Sequence, residues 1–265
     1  MHNDRKLLFG VHFDAIRMED VTERARSAIA TRRRLLIGVL NAAKIVNMRR
    51  DPLLCGSLME CDLMLADGQS VVWASRLLRR PLPERVAGIE IFESLLDLAY
   101  REDHSVYLLG ARPEVLRTLE RRLRDRFPGL RIAGSHDGYF DTKEAPQVAA
   151  QIRQSGADML FLGITSPKKE IFLGNFGPSL GVPVLHGVGG AFDIMAGLTR
   201  RAPPSWQRLG MEWAYRVLQE PGRLWWRYLS TNTAFVLLTL RELVHPARAL
   251  ARRPAGESLK TVHHF

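Results

Sequence analysis

Six short apolar runs punctuate the first three quarters of the chain: residues 35–40 (LLIGVL), 63–66 (LMLA), 106–109 (VYLL), 130–133 (LRIA), 159–162 (MLFL) and 182–185 (VPVL). Runs of this length, continuous rather than alternating, read as buried strands. Helix-period patterns fill the gaps. The clearest spans 113–127, with Pro113 in its first turn, apolar Val115, Leu116, Leu119 and Leu123 on one side, and a Pro-Gly stop. Strand and helix alternating at this rhythm predict βαβ units. The expected fold is therefore α/β and Rossmann-like, a mostly parallel sheet with helices on both faces. No internal repeat or low-complexity tract interrupts it.

The rhythm changes near Pro203. From there the chain has no strand-length run and carries four of its five tryptophans. Two or three helices broken at Pro221 and Pro246 are expected. We divide the chain into an α/β domain, 1–202, and a small helical C-terminal appendage, 203–265, with its last dozen residues frayed. The apolar stretch 233–240 (TAFVLLTL) is far shorter than the ~20 residues of a spanning helix. The N-terminal residues lack the apolar core and cleavage site of a secretory signal. The chain is thus expected not to cross a membrane, though it can lie on one.

With 46% apolar and 25% charged residues among 265, the composition is that of a globular protein and excludes a disordered one. The charge balance is less ordinary. Lys and Arg number 38 against 28 Asp and Glu, for a formal +10. Such a surplus favours a polyanionic partner: nucleic acid, an acidic membrane surface or a phosphorylated substrate. Cys55 and Cys61 have no metal-like spacing with His and suit a reducing compartment.

Candidate chemistry gathers where strands end, since open α/β sheets bind ligands at the carboxyl ends of their strands. Five such exits carry glycines or polar residues: Asn41, Asp67-Gly68, Gly110, 163–170 (GITSPKKE) and 187–193 (GVGGAFD). Asp67 leaves a buried strand, and Arg85 follows 18 residues later. A carboxylate and a guanidinium in one crevice suit chemistry on an anionic substrate; the plainer reading of Asp-Gly is ordinary turn chemistry. Gly187, Gly189 and Gly190 would let backbone amides approach a phosphate at a helix start. The dinucleotide fingerprint is incomplete, because Phe192 stands where its third glycine belongs, and a Walker A motif is absent. No D-x-D occurs, and no His, Cys or carboxylate cluster has metal-ligand spacing, so neither metal nor cofactor is expected. Departing phosphate charge would then fall to Arg85, Lys168, Lys169, Arg200 and Arg201. His136 and His186 read as structural histidines, and Lys168-Lys169 read equally well as a solvated helix start.

The blocks LADGQSVVWASRLL…PERVAG, LLGARPEV, DGYF, SPKKE, HGVGGAFDIMAG…RRAP and EWAYRVLQEPGRLWWRY follow one another over roughly 35–230. In that order and spacing they resemble the WecG/TagA/CpsF glycosyltransferase family, glycosyltransferase family 26. The resemblance implies an inverting hexosyltransferase without a required metal. It implies a UDP-sugar donor and a polyprenyl-diphosphate-linked saccharide acceptor at the cytoplasmic membrane face. Asp67 then takes the position of the catalytic base, and Asn41 and Arg85 contact the nucleotide sugar. Gly68, Gly110, Lys169, Gly189, Gly190 and Asp193 complete the expected substrate-binding set. The C-terminal block is implied to dock on the membrane, with Arg216, Arg223 and Arg227 reaching towards headgroups or the diphosphate.

Two departures bear on the sugar. Val39 stands where the family commonly has Thr, and Lys169 where it commonly has Gln. Both alter polar groups near the donor, and we expect the glucosyl, exopolysaccharide branch over donors of the UDP-N-acetylmannosamine type. Two other classes stay open on the residues alone: a basic nucleic-acid-binding protein, and a nucleotide-dependent oxidoreductase on the same sheet.

Overall fold

The computed structural model describes residues 4–219 and 221–250, apart from the side chains of Pro204, Arg208, Arg216, Pro221, Arg223, Leu224 and Arg227. The stretch expected to fray lies outside the described residues.

The chain opens with a hairpin that the hydrophobic pattern did not reveal, β1 (Arg5–Leu8) and β2 (Val11–Asp14), followed by α1 (Met18–Ala30). Then come β3 (Leu35–Leu40), α2 (Ala42–Asn47), α3 (Pro52–Met59), β4 (Leu63–Ala66), α4 (Gln69–Leu77) and α5 (Gly88–Arg101). The second half of the sheet is built by β5 (Ser105–Gly110), α6 (Pro113–Arg126), β6 (Arg131–His136), α7 (Ala145–Ser155), β7 (Met159–Gly163), α8 (Lys168–Phe176), β8 (Val184–Gly187) and α9 (Ala191–Met195). The six strands β3 to β8 lie in the order β4-β3-β8-β7-β5-β6, and every pairing is parallel.

Side chains of successive strand residues enter opposite cores, as the two-residue period requires. Leu36, Leu40, Met64 and Ala66 face one core, closed by α2, α3, α4, α7 and α8. Ile37, Val39, Leu63 and Leu65 face the other, closed by α1, α5, α6 and α9. Two strands depart from expectation. β8 starts two residues late, at Val184, because Pro183 has no N–H for the ladder and offers only its carbonyl, to Leu35 N at 2.7 Å. β6, expected buried, alternates between exposed and half-buried positions, since it is the outer strand and pairs only with β5.

The hairpin turns through Phe9 and Gly10, both at positive φ (54° and 79°), the two-residue turn whose twist suits a hairpin. It docks beside β4: Asp14 Oδ2 accepts from Met64 N at 2.8 Å and Arg5 Nη2 donates to Asp62 O at 2.9 Å, which shields the outer edge of the sheet.

Among the described residues three helices follow Pro203, α10 (Pro204–Arg208), α11 (Glu212–Gln219) and α12 (Pro221–Val244), with the expected break at Pro221 and a further one at Gly210. At Gly210 (φ 64°) the turn between α10 and α11 rests on α4, where a Cβ would sit 2.8 Å from Gln69 Cβ. α12 is packed into the first core. Phe235 is buried there with its ring 5.1 Å from that of Phe9, and both Glu242 carboxylate oxygens accept from Phe9 N, at 3.0 and 2.8 Å. Among the described residues no helix is long and apolar enough to cross a membrane.

Candidate active site

The chain passes from β3 outward to β4 and then crosses to the other half of the sheet for β5, so a crevice opens above the ends of β4, β3 and β8. Asn41 follows β3 and caps α2, its Oδ1 accepting from Lys44 N at 3.0 Å. Asp67 extends the β3–β4 ladder by one step, donating its N–H to Leu40 O at 2.9 Å. Val86 N donates to Ala66 O at 2.9 Å, which folds the charged loop back onto the end of β4. That bond, together with the pairing of Arg85 with Glu90 and Glu212, holds Arg85 at the crevice.

Two adjoining clefts occupy the crevice. The first, about 840 Å³ with its open mouth included, is lined by Asn41, Asp67, Gly68, Ser70 and Arg85 from the α/β unit. Its far wall is Gln207, Glu212, Trp213, Tyr228 and Asn232 of the C-terminal helices. The second, about 880 Å³ on the same measure, is lined by Lys44, Lys169, the 187–190 loop, Arg200 and Arg201. Asn41, Asp67 and Glu212 border both.

Charge around the clefts is densely arranged. Lys169 is buried, and desolvation lowers its ammonium to about 8, with nearby Lys44 acting in the same direction and Glu170 and Asp67 against it. Burial raises the Glu170 carboxyl, but Lys44 and Lys169 more than offset this and hold it below the usual range. Lys44 Nζ lies 2.9 Å from Glu170 Oε1 and donates to Val39 O at 3.0 Å. A second cluster joins the clefts. Arg85 pairs with Glu90 Oε1 at 2.6 Å and Glu212 Oε2 at 2.9 Å, and Arg201 pairs with the same two carboxylates.

Asn41, Asp67, Gly68, Arg85, Lys169, Gly189 and Gly190 all line one cleft or both. Gly110 and Asp193 line neither. Gly110 is instead required by the close approach of β5 to β7, where a Cβ would sit 2.5 Å from Gly163 C. Asp193 closes the turn after α9, its carbonyl accepting from Leu198 N and Thr199 N. The glycine loop also differs from expectation. The Gly189 amide is spent on Leu162 O, at 3.1 Å. Gly187 and Gly189 make room for Lys169, since Cβ atoms there would meet its Cδ and Nζ at 3.0 Å.

Of the other cations considered, Lys168 is exposed and lines neither cleft, whereas Arg200 and Arg201 border the second. The side chains of Arg216, Arg223 and Arg227 lie outside the described residues. His186 is fully buried between the carbonyls of Ile37 and Gly88, and burial lowers it to about 4, which suits a structural role. Cys55 and Cys61 are both unbridged. Among the described residues no three His, Cys, Asp or Glu side chains gather as metal ligands.

Lys44, Glu90, Glu170 and Glu212 were not anticipated. For Glu212 a signal existed, because it opens the EWAYRVLQEP block, but nothing local ties that block to Arg85, 127 residues away. A family model described as Glycosyl transferase WecG/TagA/CpsF family matches residues 6–249. With nearly the whole chain matched, the protein belongs to the WecG/TagA/CpsF glycosyltransferase family.

Proposed function

We propose that the protein is an inverting hexosyltransferase that moves a sugar from a UDP-sugar onto a polyprenyl-diphosphate-linked saccharide, with Asp67 as general base. Family membership makes it a glycosyltransferase of cell-surface glycan synthesis, with in general a nucleotide-sugar donor and a lipid-linked acceptor. The finer reading rests on one observation above all: Asp67 borders both clefts. A donor in the cleft with Lys169, Arg200 and Arg201 and an acceptor in the cleft walled by the C-terminal helices would meet at its carboxylate.

In that arrangement the acceptor hydroxyl attacks the anomeric carbon from the face opposite the leaving group. Asp67 takes the hydroxyl proton, the new glycosidic bond forms, and the bond to the diphosphate breaks with its electron pair leaving on UDP. Cations beside the donor receive that charge. Val39 lines the donor cleft and presents no hydroxyl there, which supports glucose over an N-acetylated donor. Exposed Trp225, Trp226 and Leu229 of α12 support docking at the inner face of the plasma membrane, where a lipid-linked acceptor resides. The proposed boundary at 202/203 separates the α/β catalytic unit from helices that dock on the membrane and also wall the acceptor cleft.

The test is radiolabelled transfer from a panel of UDP-sugars onto a polyprenyl-diphosphate-sugar, with and without excess EDTA. We expect transfer, strongest from UDP-glucose, to persist in EDTA. Asp67→Asn should keep UDP binding and lose about two orders of magnitude in turnover. Near-normal turnover in that variant would return Asp67 to an ordinary turn residue, and a strict divalent-ion requirement would overturn the metal-independent route.

A further inference from the structure

The arginines best placed for a departing diphosphate are already occupied. Arg85 and Arg201 hold Glu90 and Glu212 in a four-membered ring of ion pairs, two cations against two carboxylates. A diphosphate entering this balanced cluster would lie beside two carboxylates with neither guanidinium unpaired. One carboxylate has to give way. Glu90 belongs to the first turn of α5, a core helix whose Ile91, Phe92 and Leu95 are fully buried. Glu212 opens α11, an eight-residue helix that follows the Gly210 turn and carries exposed Trp213 and Leu218. Only Glu212 of the four charges borders both clefts. Arg201 Nε is buried, 3.5 Å from Glu212 Oε1, and makes no hydrogen bond among the described residues, so this guanidinium still has an unsatisfied donor.

We infer that Glu212 is a stand-in anion and a positioning residue. It holds Arg85 and Arg201 until the donor's diphosphate takes them, so donor binding and the seating of α11 compete. Carboxylate and phosphate make the same charge-assisted, two-pronged bonds to arginine, and the more highly charged diphosphate displaces the carboxylate. Loading of the donor would thereby loosen the wall of the acceptor cleft. This rests on the proposed function, since it assigns the diphosphate to this crevice.

Calorimetric titration of the full chain and of Glu212→Gln with inorganic pyrophosphate, UDP and uridine tests it. Gln keeps the shape of the side chain and removes its charge. Pyrophosphate and UDP should bind the variant on the order of tenfold more tightly, with uridine unchanged and Glu212→Asp, which restores the charge, close to the parent. In the parent, adding UDP should speed amide exchange across residues 212–219. A purely structural ion pair predicts the reverse, with equal or weaker UDP binding in Glu212→Gln and slower exchange in α11, and either result overturns the inference. If neither protein binds UDP or pyrophosphate, the proposed function itself falls, and this inference with it.

Discussion

Lys169 shows how much one buried cation can cost and what that cost reveals. The unfolded chain holds this ammonium near its ordinary value of 10.5, while the folded protein holds it at about 8. Below pH 8 it is charged in both states, and the folded state bears the whole desolvation penalty. Between pH 8 and 10.5 the folded state sheds the proton first, so stability rises with pH across that window. A shift of this size corresponds to at most about 3 kcal/mol at neutral pH. Lys169→Gln should therefore raise stability by roughly 1–3 kcal/mol at pH 7, and the gain should shrink by pH 9.5. Urea unfolding at both pH values checks this, and an undiminished gain at pH 9.5 would show that charge is not the cause. The Lys44–Glu170 pair at 2.9 Å survives the substitution, so no buried carboxylate is stranded.

Individual elements differ in how openly the chain announces them. β3, β4 and β7 were legible because unbroken apolar runs flanked by polar turns leave few alternatives, and both of their faces are buried. The first hairpin was hidden. A turn with two positive-φ residues normally declares itself by Asn-Gly or Gly-Gly, and here a bulky Phe9 occupies the first position. Tertiary packing overrides the local cost, since the ring packs at a tilt against Phe235 and the amide is held by Glu242. The site divides in the same way. Asp67 was legible from its strand exit, but the far wall of the first cleft was not, because Tyr228 and Asn232 reach it only once α12 is packed against the α/β unit. Glu242→Ala would strip both hydrogen bonds from a buried backbone amide, and we expect a loss of about 1–3 kcal/mol. Arg80→Ala should also lower stability, since its Nη1 donates to Leu7 O at 2.6 Å and lies 3.3 Å from Glu242 Oε1, whose carboxylate is buried. Equal midpoints in denaturant for Glu242→Ala and the parent would remove Glu242 as the anchor of α12.

At the scale of the molecule, α12 has two opposed sides. Thr231, Phe235, Thr239 and Glu242 turn inward, while Leu229, Val236, Leu240 and Leu243 form an exposed row at helical spacing opposite them. Residues 206–265 carry nine Lys and Arg against four Asp and Glu, a surplus that fits the proposed docking on anionic headgroups. Trp225→Ser combined with Trp226→Ser should reduce sedimentation with anionic vesicles severalfold and leave thermal stability nearly unchanged, since both rings are exposed. Undiminished sedimentation would transfer the docking role to another face. The inward side has a different consequence, one of timing. Phe9 waits for partners at 235 and 242, 233 residues away in the case of Glu242. At a synthesis rate of about 5–20 residues per second, the ribosome needs roughly 10–50 s to deliver them. For that interval this turn keeps an aromatic ring and an amide without those partners, until the last described helix arrives to cover them.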